Sequence, residues 1–165
     1  IYEQPSQANF ENIITDKYLN HIPDQIYIED ESRTIGRVTL PETWYSKMQS
    51  SDLIILDISN EERIQNILNE YVTEPLKGLT NERELLKKYT SSLEKIKKRL
   101  GHELFKNIYS LMVNAFNNNK NHEDWISKLL IKYYDPMYSY KLKIRKKYII
   151  HIGDQKSCYD FLGAI

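Results

Sequence analysis

The chain has 165 residues, 28% charged and 41% hydrophobic, with 23 basic and 23 acidic side chains and no formal net charge. That length and apolar share suit one domain with its own core and exclude a disordered chain. Zero net charge excludes a uniformly basic nucleic-acid binder, so any RNA contact must use a local patch. The one cysteine, Cys158, excludes an internal disulfide and a cysteine-rich metal site, and it fits a reducing compartment. No apolar stretch approaches the ~20 residues of a membrane span, and there is no basic-then-apolar secretory start.

Ser6 is placed to cap a first helix, in which Phe10, Ile13, Ile14 and Tyr18 recur at helical spacing. Asn20 to Asp24, with Pro23, reads as a break. Gln25 to Glu29 reads as a buried parallel strand, because Ile26-Tyr27-Ile28 is short, apolar and β-branched. Arg33 to Leu40 reads as loop. Pro41 opens a short helix with Trp44, Tyr45 and Met48 on its apolar side. Asp52 to Ile58 is a second strand around Leu53-Ile54-Ile55-Leu56. Ser59-x-x-Glu62 is a capping box before an amphipathic stripe of Ile64, Ile67, Leu68 and Tyr71. Strand, box and helix together are half of a βαβ unit.

From Thr80 the pattern turns helical. Leu85, Leu86, Tyr89, Leu93, Ile96 and Leu100 form one stripe, ended by Gly101. Leu104, Phe105, Ile108, Leu111, Met112, Ala115 and Phe116 form a second, which predicts an αα-hairpin over 81–117. Asn121 caps a third helix bearing Trp125, Ile126, Leu129 and Leu130. Tyr148 to Ile152 is a third strand, and Gly153-Asp154 turns into a terminal helix. The expected architecture is one α/β domain with a helical insertion at about 80–135.

Several clusters carry possible chemistry. Glu29, Asp30 and Glu31 fall at a strand's carboxyl end, where open α/β sheets bind ligands. Carboxylates hold Mg²⁺ and its waters, and the forks of Arg33 and Arg37 suit phosphate oxygens. The alternative is an acidic strand end salt-bridged to those arginines. Ser6 and Gln7, at a helix start, either meet a phosphate or simply cap. Tyr133 and Tyr138 either stack on bases or pack a tight turn with Tyr134 and Pro136. Lys141, Lys143, Arg145, Lys146 and Lys147 put five cations in seven residues. Such runs are usually solvated, yet they are the best candidates here for RNA phosphates. The four histidines are scattered, which gives no zinc site, and Cys158 reads as a small buried hydrophobe.

The run IEDESRTIGRVTLPETWYSKM, the earlier QPSQANFENII and the later YYDPMYSY resemble, in order, segments of the tRNA 2-selenouridine synthases. The resemblance covers essentially the whole chain. It implies an incomplete P-loop NTPase-like parallel sheet, from the C-terminal part of a cytoplasmic selenotransferase. That family joins a rhodanese-like domain with a catalytic cysteine to a P-loop domain. Its members convert wobble 2-thiouridine of tRNA to 2-selenouridine with selenophosphate, through an S-geranylated intermediate made from geranyl diphosphate. On this resemblance Glu29 and Asp30 would face Mg²⁺ through water. Arg33, Arg37, Ser6 and Gln7 would face phosphates, and the 141–147 cations with Tyr133 and Tyr138 would face tRNA.

No GxxxxGK[ST] loop and no rhodanese cysteine occur in these residues. The sequence therefore reads as a piece of the enzyme that is inactive by itself. A small-molecule P-loop kinase remnant, or a helical interaction module with merely superficial acids, is the alternative.

Overall fold

The computed structural model describes residues 4–20, 26–78, 81–118 and 121–163. They fall into two compact units: Ile1–Leu53 with Tyr148–Ile150, and Ile54–Lys147 with His151–Ile165.

In the first unit, α1 (Gln7–Asn20) begins at Ser6, whose Oγ accepts from Asn9 N at 3.3 Å and whose carbonyl accepts from Phe10 N at 2.9 Å. Its apolar stripe is shallow. Ile13 is exposed, and Tyr18 meets Trp44 edge-on at 5.6 Å. The strand expected over 25–29 is not formed. Gln25 lies outside the described residues, and Ile26–Glu29 is neither strand nor helix. Ile26, Tyr27 and Ile28 are about half exposed, and neither sheet among the described residues includes this segment. An apolar run becomes a strand only where a neighbouring edge completes its ladder, and this segment joins none.

The loop expected over Arg33–Leu40 is instead a tight hairpin. β1 (Thr34–Ile35) pairs antiparallel with β2 (Val38–Thr39), with Thr34 opposite Thr39 and Ile35 opposite Val38. Two-residue hairpin loops need positive φ at their first central residue, and Gly36 supplies it at +63°. α2 (Glu42–Gln49) follows Pro41 as expected, with Trp44, Tyr45 and Met48 half-buried.

β3 (Leu53–Leu56) and β4 (Ile149–Gly153) form the second sheet. Asp57 N donates to Gly153 O at 2.8 Å, joining the carboxyl ends of both strands, so they run parallel. The second and third strands read from the sequence are thus neighbours in one sheet. A parallel neighbour requires a long crossover, and the helices fill it.

In the second unit, Ser59 Oγ accepts from Glu62 N at 3.1 Å and opens α3 (Asn60–Leu68). A π turn, Asn69–Thr73, carries that helix into α4 (Glu74–Lys77). Pro75 explains the widening. Proline lacks an N–H and its ring collides with the carbonyl four residues earlier, so a wider turn relieves the clash. That carbonyl belongs to Tyr71, and the Tyr89 hydroxyl donates to it. Burial, with Tyr71 and Glu70 nearby, pushes the Tyr89 hydroxyl up to about 12.

The helical hairpin forms where the stripes placed it. α5 (Glu82–Lys95) and α6 (Lys97–Leu100) precede α7 (His102–Asn118), and Gly101 turns between them at φ +77°. Leu85, Leu93 and Leu100 pack with Phe105, Ile108, Met112, Ala115 and Phe116. Trp125 and Ile126 of α8 (Glu123–Leu129) join that core. Asn121 Oδ1 accepts from Glu123 N at 2.9 Å, the expected cap.

The turn read into YYDP is absent. α8 passes through a π turn, Leu130–Tyr134, into α9 (Asp135–Ile144), again just before a proline, Pro136. α10 (Gln155–Leu162) is capped by Asp154 Oδ1, which accepts from Ser157 N at 2.7 Å, and it buries Cys158. No helix among the described residues is long and apolar enough to cross a membrane.

Candidate functional site

The hairpin is stitched to the N-terminal arm by two glutamine amides, each acting as a peptide group. Gln4 Nε2 donates to Ile35 O at 2.6 Å, and its Oε1 accepts from Arg37 N at 2.8 Å. Gln7 repeats this on Thr39, donating to its carbonyl and accepting from its N–H, both at 2.8 Å. The arm thus acts as an added strand built from side chains. Two of the separated sequence segments, QPSQANFENII and IEDESRTIGRVTLPETWYSKM, are therefore one structural module.

This geometry sorts the phosphate candidates. Both ends of the Gln7 amide are engaged with Thr39, and its Nε2 also donates to Glu11 Oε1 at 2.6 Å. Ser6 is occupied as a cap. Arg33 does not pair with Glu29–Glu31; it meets Glu42 at 2.6 Å, which neutralises it. Arg37 is exposed at the hairpin tip, and Nη2 donates to Gln4 O at 3.3 Å. Among the described residues no acid pairs with Arg37, and of the four candidates it is the one that keeps both charge and accessibility for an anion.

Glu29 and Asp30 lie in the irregular segment before the hairpin, Glu29 exposed and Asp30 half-buried. Glu31 N donates to Glu29 O at 2.8 Å, and Glu31 Oε2 accepts from Ser32 N at 3.0 Å. Among the described residues, no three His, Cys, Asp or Glu side chains converge as a metal would require. Glu29 and Asp30 by themselves bring two carboxylates to this segment, fewer oxygens than the six that surround Mg²⁺.

The second candidate surface is α9 and the residues after it. Between Pro136 and Gly153 there is no acidic residue, while Lys141, Lys143, Arg145, Lys146 and Lys147 all fall there. In a chain of zero net charge this is a sharply local field. Tyr134 and Tyr138 lie near-parallel, with centroids 6.5 Å apart, and Lys141 Nζ sits 5.9 Å from the Tyr138 ring centroid. Burial, with neighbouring tyrosines, raises the Tyr134 hydroxyl above its usual range.

Two expectations change here. Arg145 is buried, at 6% exposure, so it does not belong to a phosphate-facing surface. Its backbone N–H closes the last turn of α9, donating to Lys141 O at 3.1 Å. Tyr133 packs on the helical core and meets Tyr134 edge-on, so its ring is not presented outward.

Asp135 accepts a two-pronged hydrogen bond from Arg63 of α3, Nη2 to Oδ1 at 2.5 Å and Nη1 to Oδ2 at 3.2 Å. That fork fixes the start of α9, just after the π turn. The sequence reading missed Arg63, because its partner is 72 residues away.

A third cluster, at the carboxyl end of the parallel pair, was also missed. His151 Nε2 lies 3.0 Å from Ser157 Oγ, and its ring stacks on Phe161 at 4.4 Å. A Cβ on Gly153 would fall 2.5 Å from Ser157 Oγ and 2.7 Å from its Cβ. The glycine before the Asp154 cap is the only sequence signal for this close approach. A shallow groove beside it is lined by Ile58, Glu62, Asp154, Gln155, Lys156 and Tyr159. Glu62 and Asp154 make it unsuitable for a phosphate.

The fold and these surfaces define an α/β protein with a small parallel sheet, a large helical core and a basic, tyrosine-rich helix. The family model for the tRNA 2-selenouridine synthase AAA domain matches residues 1–165. Curated relatives named tRNA 2-selenouridine synthase include that of Shewanella frigidimarina, 38% identical over 96% of this chain and 48% of its own length. Those of Shewanella denitrificans and Shewanella oneidensis are 35% and 32% identical, each over 98% of this chain. The chain belongs to the tRNA 2-selenouridine synthase family. It spans about half the length of the curated relatives it matches. No solved structure matches it.

Proposed function

We propose that this chain serves a cytoplasmic tRNA-modifying selenotransferase, as part of a P-loop-type domain that binds and positions substrates. The reaction is the replacement of sulfur by selenium in wobble 2-thiouridine, using selenophosphate, through an S-geranylated intermediate made from geranyl diphosphate. The observation that carries this reading is the family match along all 165 residues.

Within it, Arg37 at the hairpin tip grips a phosphate of one of these substrates, and Arg33 with Glu42 holds the hairpin base. Lys141, Lys143, Lys146 and Lys147 face the tRNA backbone, and Tyr138 faces its bases. Ser6 and Gln7 act by fixing the arm to the hairpin rather than by touching phosphate. These residues contain neither a GxxxxGK[ST] loop nor a rhodanese cysteine. The transferring thiol and the phosphate cradle therefore come from elsewhere in the working enzyme, the thiol from a rhodanese-like domain, and this stretch alone is inactive.

The test is to express the full-length protein in a bacterial host that makes selenophosphate but lacks its own synthase. Digested tRNA is then examined by mass spectrometry. The expected products are 2-selenouridine and S-geranyl-2-thiouridine derivatives. Unchanged 2-thiouridine, with soluble protein present, overturns the reading.

A further inference from the structure

We infer that α9 is a stacking platform for unpaired RNA bases, with Tyr138 and Tyr134 as its rings and the lysines of 141–147 as its phosphate contacts. This rests on the tRNA reading above and deepens it, because it states which form of RNA the surface takes.

Tyr134, Tyr138 and Lys141 are spaced i, i+4, i+7, so they share one face of the helix. Tyr134 and Tyr138 are 37% and 41% exposed; Tyr140, two residues on and so on the opposite side of the helix, is 67% exposed. Exposed, near-parallel rings beside cations are what single-strand binders use. Base planes lie on the rings while the backbone follows the charge. A-form duplex offers the opposite: its bases are stacked on each other and its major groove is too narrow for side chains to read.

Met137 and Ile144 are also exposed here, 37% and 64%, and an apolar helix face alone would equally suit a protein. The charge decides between them. The sequence has no carboxylate from Pro136 to Gly153 but has Lys141, Lys143, Lys146 and Lys147, and Lys141 lies beside the Tyr138 ring. Protein interface cores are depleted in lysine, whereas a phosphate backbone requires it.

The platform is also held firmly. Asp135, the residue after Tyr134, is taken up by the Arg63 fork. The same fork fixes the first turn of α9 and hence the direction of Tyr138 one turn later.

The test uses the full-length protein and two labelled RNAs: a strand of about 12 nucleotides, within the site sizes of single-strand binders, and the same strand annealed to its complement. Binding is read by fluorescence anisotropy across a salt series. Tyr138→Ala is expected to weaken unpaired RNA about tenfold, within the range of base–aromatic stacking, without changing the salt slope. Tyr138→Phe keeps the ring and is expected to bind within about twofold of the parent. Lys143→Gln with Lys147→Gln is expected to lower the salt slope by about 1.4, two single-strand phosphate contacts. Circular dichroism melts establish that each variant is folded. Tyr134→Ala, in a partly buried position, serves only as a second ring.

Equal binding of duplex and single strand, or a folded Tyr138→Ala variant with unchanged affinity, overturns the platform. So does absence of RNA binding together with self-association that Tyr140→Ala with Ile144→Ala abolishes; α9 would then be a protein contact. Because the oligonucleotides carry no 2-thiouridine, this binding is independent of selenium transfer. Loss of one with retention of the other therefore tells which reading has failed.

Discussion

Gly36→Ala tests the module in which the arm and the hairpin hold each other. A Cβ at this position would lie 2.5 Å from Gln4 Nε2, 2.6 Å from Oε1 and 2.9 Å from Cδ. The Gln4 amide must leave, and its hydrogen bonds to Ile35 O and Arg37 N leave with it. Two such bonds contribute about 1 kcal/mol each. An alanine held at φ +63° adds about 1 kcal/mol more. The sum, ~3 kcal/mol, is local, because Gln7 still ties Thr39 to α1.

Backbone hydrogen exchange reads this directly. The Arg37 amide, bonded to Gln4, is expected to exchange about 100-fold faster in Gly36→Ala, the factor that roughly 3 kcal/mol sets. The Thr39 amide, bonded to Gln7, is expected to change far less. Gln4→Ala removes the same hydrogen bonds without backbone strain, so it is expected to give most of the Arg37 effect at about 2 kcal/mol. Parental Arg37 protection in Gly36→Ala refutes the stitching. Equal loss at Arg37 and Thr39 refutes its division into two independent amides.

Four further outcomes follow from the same contacts. Arg63→Ala breaks the fork to Asp135. Because both side chains are about 30% exposed, the expected loss is about 1 kcal/mol, a fall of a few degrees in Tm, and Asp135→Asn added to it should cost little more. His122 accepts from Trp125 Nε1 at 3.1 Å, and burial lowers its pKa. Folding therefore holds it neutral while the unfolded chain takes a proton below its ordinary value near 6.5. Stability is complete above that pH and falls as pH drops toward the lowered folded value, and denaturant titrations should show His122→Gln removing part of this slope. Gly153→Ala is expected to cost about 1–3 kcal/mol through overpacking against Ser157, and thermal melts should show Ser157→Gly recovering part of it. In the full-length enzyme Arg37→Ala is expected to raise KM for a phosphate-bearing substrate more than Arg33→Ala does; equal effects would remove the distinction that Glu42 makes.

The helical half was legible in the sequence because its contacts are local and periodic. Stripes at i, i+3 and i+4 give helix faces, and Asn81, Gly101 and Asn121 mark their ends. Ser59, Asp154 and buried Cys158 were readable for the same reason: a cap or a small apolar residue is decided within one turn. The hairpin also left a mark, a glycine flanked by β-branched pairs, although the sequence reading placed a loop there.

Tertiary structure decided whatever depended on a distant partner. Ile26-Tyr27-Ile28 has a strand's composition, but a strand exists only where it pairs with an edge, and neither sheet among the described residues includes this segment. Pattern gave five cations at 141–147 but not that the guanidinium of Arg145 turns inward. Nothing local in Asp135 points to Arg63, and nothing local in Gln4 or Gln7 shows that their amides serve as strand backbone. A sequence records which groups are available along the chain. Which of them spend their charge or hydrogen bonds on one another, as Arg33 spends its charge on Glu42, is fixed only when the fold brings those groups within about 3 Å.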